Sequence, residues 1–158
     1  MINIEERVEK AKALFKEGGY NCCQAVVLAY NDIFGIDDDT AAALSSGFGG
    51  GMGRMREVCG SVSGMVMLAG LVRPSTDPSD KAGRTGNYAL VQEVSAEFKA
   101  MNGSIICREL LGLAPANESP VPSDRTPEYY KKRPCEELVG ISARIIGQKI
   151  QDKLSETK

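Results

Sequence analysis

Apolar positions recur at steps of three and four along most of the chain, and this spacing predicts helices. Ile4, Val8, Ala11, Leu14 and Phe15 form the first stripe, which Gly18-Gly19 ends as a C-terminal cap would. Asn21 is a good N-cap for a second helix, with Cys22, Ala25, Val26, Ala29 and Ile33 along one side and Gly35 at its close. Asp37 to Asp39 supply an acidic first turn for a short helix through Thr40 and Leu44 that stops at Gly47. Beyond a glycine-crowded loop, Ser61 to Val72 reads as a tightly packed helix, because Gly60, Ser63 and Gly64 let a neighbouring backbone approach closely.

Asp77-Pro78-Ser79-Asp80 has the form of an N-cap followed by proline at the first helical position. It opens a long helix through Tyr88, Val91, Val94, Phe98 and Met101 that Gly103 ends. Ser104 caps a shorter helix from Ile105 to Leu111, closed by Gly112, and a last helix runs from Cys135 through Leu138, Ile141, Ile145 and Ile150. Between them, residues 113–134 form a Pro-rich loop with Pro115, Pro120, Pro122, Pro127 and Pro134 around Tyr129 and Tyr130, which suits a lid over the cysteine site or, the preferred reading, a surface excursion. No alternating strand pattern and no internal repeat occurs. The expected architecture is an all-α, single-domain bundle of about six or seven helices spanning residues 1–158.

Composition narrows the function classes. With 158 residues, 42% of them hydrophobic and 25% charged, the chain suits one domain with a real core. A net charge of -2 and no long basic run remove the electrostatic footprint of a nucleic-acid binder. The charged N-terminus is unlike a signal peptide, and the longest apolar run, Met65 to Val72, is too short to cross a bilayer, so a cytoplasmic protein without membrane insertion is expected. Histidine is absent, which removes the usual general base and the imidazole ligand and leaves cysteine, carboxylate, lysine, tyrosine or a cofactor to carry chemistry.

Five cysteines in a reducing compartment point to ligands or redox groups more than to a disulfide framework. Cys22, Cys59, Cys107 and Cys135 each fall at a predicted helix N-terminus, where unpaired amides and the helix dipole favour a thiolate. Arg54 and Arg56 near Cys59, Arg108 beside Cys107, and Lys131 to Arg133 before Cys135 push the same way. Packing alone accounts for any single buried cysteine, but it does not call for four at equivalent positions. Cys23, about 100° around the helix from Cys22, is a bystander.

The blocks "GYNCCQAV", "GFGGGMGRMREVCGSVSG", "GSIICRELLG" and "PCEELV" occur in an order that resembles the family of small proteins, described as redox-active, named for a CGAxxG motif with further cysteines (C_GCAxxG_C_C). The resemblance covers nearly the whole chain and implies that Cys22, Cys59, Cys107 and Cys135 are the family's cysteines. Cys23 stands where the family commonly has a small residue. Ser61 occupies the alanine position of CGAxxG, keeping the site small while adding a hydroxyl. The resemblance implies redox chemistry without naming a substrate.

Without a CxxC pair, neither a thioredoxin-type dithiol nor a local zinc knuckle is supported, so the ligands must be gathered by tertiary structure. Four thiolates meeting at helix ends suit an iron-sulfur cluster for electron transfer or redox sensing, with Gly49, Gly50, Gly51 and Gly53 as backbone N–H donors. The same glycines also serve as a tight connection between helices. A structural zinc site with four sulfurs satisfies the same ligand count, within a non-catalytic interaction module. Metal-free thiol–disulfide exchange requires only pairwise proximity. A redox partner of undefined identity and a homo-oligomer are both compatible with these readings.

Other motifs fail. The phosphate loop lacks its lysine and hydroxyl, a dinucleotide fingerprint has no strand before it, and Val62 stands where a nucleophile elbow needs serine. Met52, Met55, Met65 and Met67 read mostly as core filler.

Overall fold

The computed structural model describes residues 1–115 and 118–157; Ala116 and Asn117, inside the Pro-rich 113–134 stretch, and Lys158 lie outside the described residues. Asn3 caps α1 (Ile4–Lys16) by accepting from the Glu6 N–H, and Val8, Ala11 and Phe15 turn inward from it. Asn21 and Gln24 form a reciprocal capping box that starts α2 (Cys22–Leu28). The second predicted helix is divided: α2 ends at Leu28, and a 3-10 turn over Asn31–Phe34 carries the chain to Gly35 in the left-handed region. Asp37 caps α3 (Asp38–Ser45), and a further 3-10 turn, Ser46–Phe48, leads into the glycine loop.

The most apolar helix, α4 (Gly60–Val72), buries Val62, Met65, Leu68, Ala69 and Val72 and packs between α2, α5 and α8, as a helix without a polar face must. The long α5 (Lys81–Asn102) is capped by Asp80 and not by Asp77, which folds onto the N–H and hydroxyl of Ser79 in a local turn. Ser104 likewise accepts from the Ile106 N–H, so α6 (Cys107–Leu111) starts two residues later than the spacing predicts. Thr126 caps α7 (Pro127–Lys132), a helix inside the Pro-rich stretch, with Pro127 at its first position. The closing helix, α8 (Cys135–Glu156), lies along α1 in the most extensive contact of the bundle.

Among the described residues there are eight α-helices and no strand, only an isolated antiparallel bridge between Val58 and Ile106. None of these helices is long and apolar enough to cross a membrane. The core runs from Val8 and Phe15 through Val26, Met65 and Leu68 to Phe98, Ile146 and Ile150, and leaves the starts of α2, α4, α6 and α8 gathered at the edge of one cavity.

Candidate functional site

Each of the four cysteines sits where its helix begins. Cys22, Cys107 and Cys135 are the first residues of α2, α6 and α8, and Cys59 is the N-cap of α4. All four line one cavity of about 60 Å³, room for a few water-sized groups at roughly 10–15 Å³ each. Cys59 and Cys107 are buried, Cys22 and Cys135 retain partial exposure, and all are free thiols. Cys23 turns away, fully buried, with its sulfur 3.8 Å from the Met67 sulfur.

The Val58–Ile106 bridge brings two of the cysteines together. The Cys59 N–H donates to the Ile105 carbonyl at 2.8 Å and the Cys107 N–H to the Glu57 carbonyl at 2.6 Å, so the two cysteines flank the bridge diagonally on one face. Glycines of the motif close the rest of the distance. A Cβ on Gly60 would collide with the Cys22 sulfur, and one on Gly64 would stand 2.9 Å from Val26 Cβ. These two positions therefore allow α4 to lie against α2 with Cys22 at the crossing.

The loop before α4 winds through positive φ at Gly50, Gly51, Met52, Gly53, Arg54 and Arg56. Glycine meets this without cost, whereas Met52, Arg54 and Arg56 each carry strain of about 1–2 kcal/mol. Gly50 lines the cavity, and its backbone favours the anion of Cys22. Gly51 passes so near Cys107 that an added Cβ would stand 2.7 Å from the cysteine's own. Gly49 packs on the Asn21 side chain, and Gly53 faces open space, so the four glycines hold distinct places. Met65 and Met67 pack inside, but Met52 and Met55 are exposed on this loop and fill no core.

Arg56, beside Cys59 in sequence, reaches past it. Its Nη1 lies 3.8 Å from the Cys107 sulfur, and its side chain is only 4% exposed. The Pro-rich stretch, expected as a surface excursion, instead closes over the cavity. Arg125 donates to the carbonyls of Phe15 and Tyr20 at 3.0 and 3.1 Å and stacks on the Phe15 ring, while the Tyr130 hydroxyl donates to the Lys16 carbonyl. Tyr129, Arg125 and Arg133 thereby become cavity wall. The sequence placed Arg133 beside Cys135 but read Tyr129 as surface and passed over Arg125; the Thr126-Pro127 pair was the available sign that a helix starts there.

Burial reverses the expected ionisation. It pushes Cys59 up to about 12, with the nearby Cys22 adding to it, against the Ser61 hydroxyl and the N–H groups of Ser61 and Val62. It pushes Cys135 up to about 12 despite Arg133 and Arg125. Cys22 rises too, although N–H groups including that of Gly50 oppose the shift. Helix position and neighbouring cations do favour the anion here, but desolvation outweighs them at Cys22, Cys59 and Cys135, which are protonated at neutral pH. Cys22 opposes charge on both Cys59 and Cys135 and is itself opposed by Cys107, which makes it the hub of the four.

Beneath Cys59 runs a buried hydroxyl chain, in which Ser142 donates to the Ser61 oxygen at 3.0 Å and Ser61 lies 3.1 Å from the Cys59 sulfur. As the side chains stand, no three Cys, Asp or Glu groups among the described residues are close enough together to hold a metal ion.

Neither a curated protein nor a solved structure matches the chain. The model of one family, described as "Putative redox-active protein (C_GCAxxG_C_C)", matches residues 20–149, a span that holds all four cavity cysteines and both motif glycines, and the chain belongs to that family.

Proposed function

We propose that this is a redox protein whose working centre is the four-thiol cavity, with Cys22, Cys59, Cys107 and Cys135 ligating an iron-sulfur cluster for electron transfer or redox sensing. The observation that carries the reading is that cysteines distant in sequence line the same cavity. The donor set fits. Sulfurs that burial keeps protonated give up their protons when a cation takes their place. Two of the four have a hydrogen-bonding group in reach, the Ser61 hydroxyl at Cys59 and the Arg56 guanidinium at Cys107, and the Gly50 backbone favours the anion of Cys22. Arg56, Arg125 and Arg133 in the wall offset the negative charge of four thiolates. Bound there, the cluster would supply one-electron exchange at thiolate-ligated iron. Ligation requires the four sulfurs to draw inward, and the cavity leaves them room to do so.

A second reading, thiol–disulfide exchange with Cys22 as the hub, is favoured by the absence of any three-thiol ligand group among the described residues. Anaerobic purification followed by reconstitution with iron and sulfide separates the two. A brown protein carrying iron and acid-labile sulfide, with colour lost in Cys22→Ser and Cys135→Ser, is the expected result. A colourless product that carries zinc, or that carries no metal and closes a reversible disulfide with a mild oxidant, overturns the cluster. The metal-free outcome supports the second reading.

A further inference from the structure

Outside the thiol cavity, and sharing Gly50, Arg56, Arg125 and Arg133 with it, lies a larger cavity of about 320 Å³. That is the lower end of the size range for small-molecule sites, roughly 300–1,000 Å³. Arg54 completes its wall, and among the described residues no Asp or Glu lines it. The Glu118 carboxylate pairs with two of these arginines, 3.3 Å from Arg54 Nη2 and 3.6 Å from Arg56 Nε.

Two of these arginines have capacity left over. Arg56 is almost wholly buried, and its Nε meets the Glu118 carboxylate only as an ion pair at 3.6 Å, without a hydrogen bond, a shortfall that a ligand oxygen would fill. Arg133 stacks 4.9 Å above the Tyr129 ring and forms no ion pair among the described residues. Stacking holds the planar fork in place with its N–H edges available, the geometry that suits a carboxylate or phosphate. Arg125 contributes charge at a fixed position, since its N–H groups are engaged by carbonyls. Ser123, 3.3 Å from Arg54, adds a hydroxyl to the rim.

We propose that this outer cavity is a binding site for a small oxyanionic molecule, a carboxylate or a phosphate, held by Arg54, Arg56 and Arg133 at the entrance to the thiols. The site does not depend on the cluster reading, because every group that forms it belongs to the protein without cofactor.

The test is isothermal titration calorimetry of the as-isolated protein with inorganic phosphate and, separately, with citrate, at constant ionic strength set by sodium chloride. At least one anion binds saturably with a dissociation constant below about 1 mM. Arg133→Ala and Arg54→Ala each weaken it by about tenfold or more, with the far-ultraviolet circular dichroism unchanged, while Lys131→Ala has no effect. Which anion binds identifies the head group. Cys22→Ser, which loses the cluster under the preceding reading, keeps anion binding, so the two proposals fail separately. Absence of heat beyond the chloride control for both anions at about 10 mM overturns the site, and so does binding of undiminished strength in Arg133→Ala.

Discussion

At the scale of single residues, the position where this chain departs from CGAxxG is also where its site differs chemically. Ser61 is fully buried and stands between two partners, accepting from Ser142 and sharing a hydrogen bond with the Cys59 sulfur at 3.1 Å. An alanine there would keep the packing and break the hydroxyl chain, stranding Ser142 without the acceptor it uses. We expect Ser61→Ala to lower the free energy of unfolding in urea by about 1–3 kcal/mol, the cost of a buried polar group left unpaired. Ser61→Ala/Ser142→Ala should recover part of that loss, since removing both partners leaves no orphan. Equal stability of the parent and Ser61→Ala would mean that the chain contributes nothing. The sequence showed that a hydroxyl lies near the site, but its partner on α8 is visible only in three dimensions.

At the scale of helices, α4 shows how much a spacing of small residues decides. Gly60 and Gly64 face α2, whereas Gly70 on the same helix has open space around its absent Cβ. Gly70→Ala should therefore stabilise the protein by up to about 1 kcal/mol through helix propensity alone. Gly64→Ala should destabilise it by about 1–3 kcal/mol as Val26 and the Cys23 carbonyl are forced away. Thermal melts of the two variants give opposite signs if this account is right, and equal signs refute it. Helix starts carrying a side-chain cap were legible from the sequence, as at Asn21, where the structure shows a full capping box. Starts offering two rival caps were not: Asp77 and Asp80 both fit the pattern before α5, and only Asp80 accepts from the helix, at the Gly83 N–H. The end of α2 was missed because the apolar stripe runs on through the 3-10 turn to Ile33, so the change of pitch leaves no trace in residue type.

At the scale of the whole molecule, the common place of the four cysteines at helix starts was legible in the sequence, but the ionisation of Cys22, Cys59 and Cys135 was not. Dipoles and cations are local and can be read beside a cysteine, whereas burial is set by α7 and α8 folding over from far along the chain. The balance has a measurable consequence in pH. Cys59 and Cys135 ordinarily titrate near 9.0 and are raised to about 12 in the folded protein, so between these values the folded chain keeps protons that the unfolded chain has released. Stability from the protonated thiols is thus fully present below about pH 9 and is lost as pH rises through about 12, at roughly 1.4 kcal/mol per pH unit for each group. Denaturation midpoints of the metal-free protein should be flat from about pH 6 to 8 and fall beyond pH 9. In Cys59→Ala/Cys135→Ala the alkaline fall should be clearly shallower, although raised tyrosines such as Tyr30 still contribute to it. Parallel alkaline falls in parent and double variant would show that these sulfurs are no harder to ionise in the fold than out of it, and that the cavity wall already offsets the charge of their thiolates.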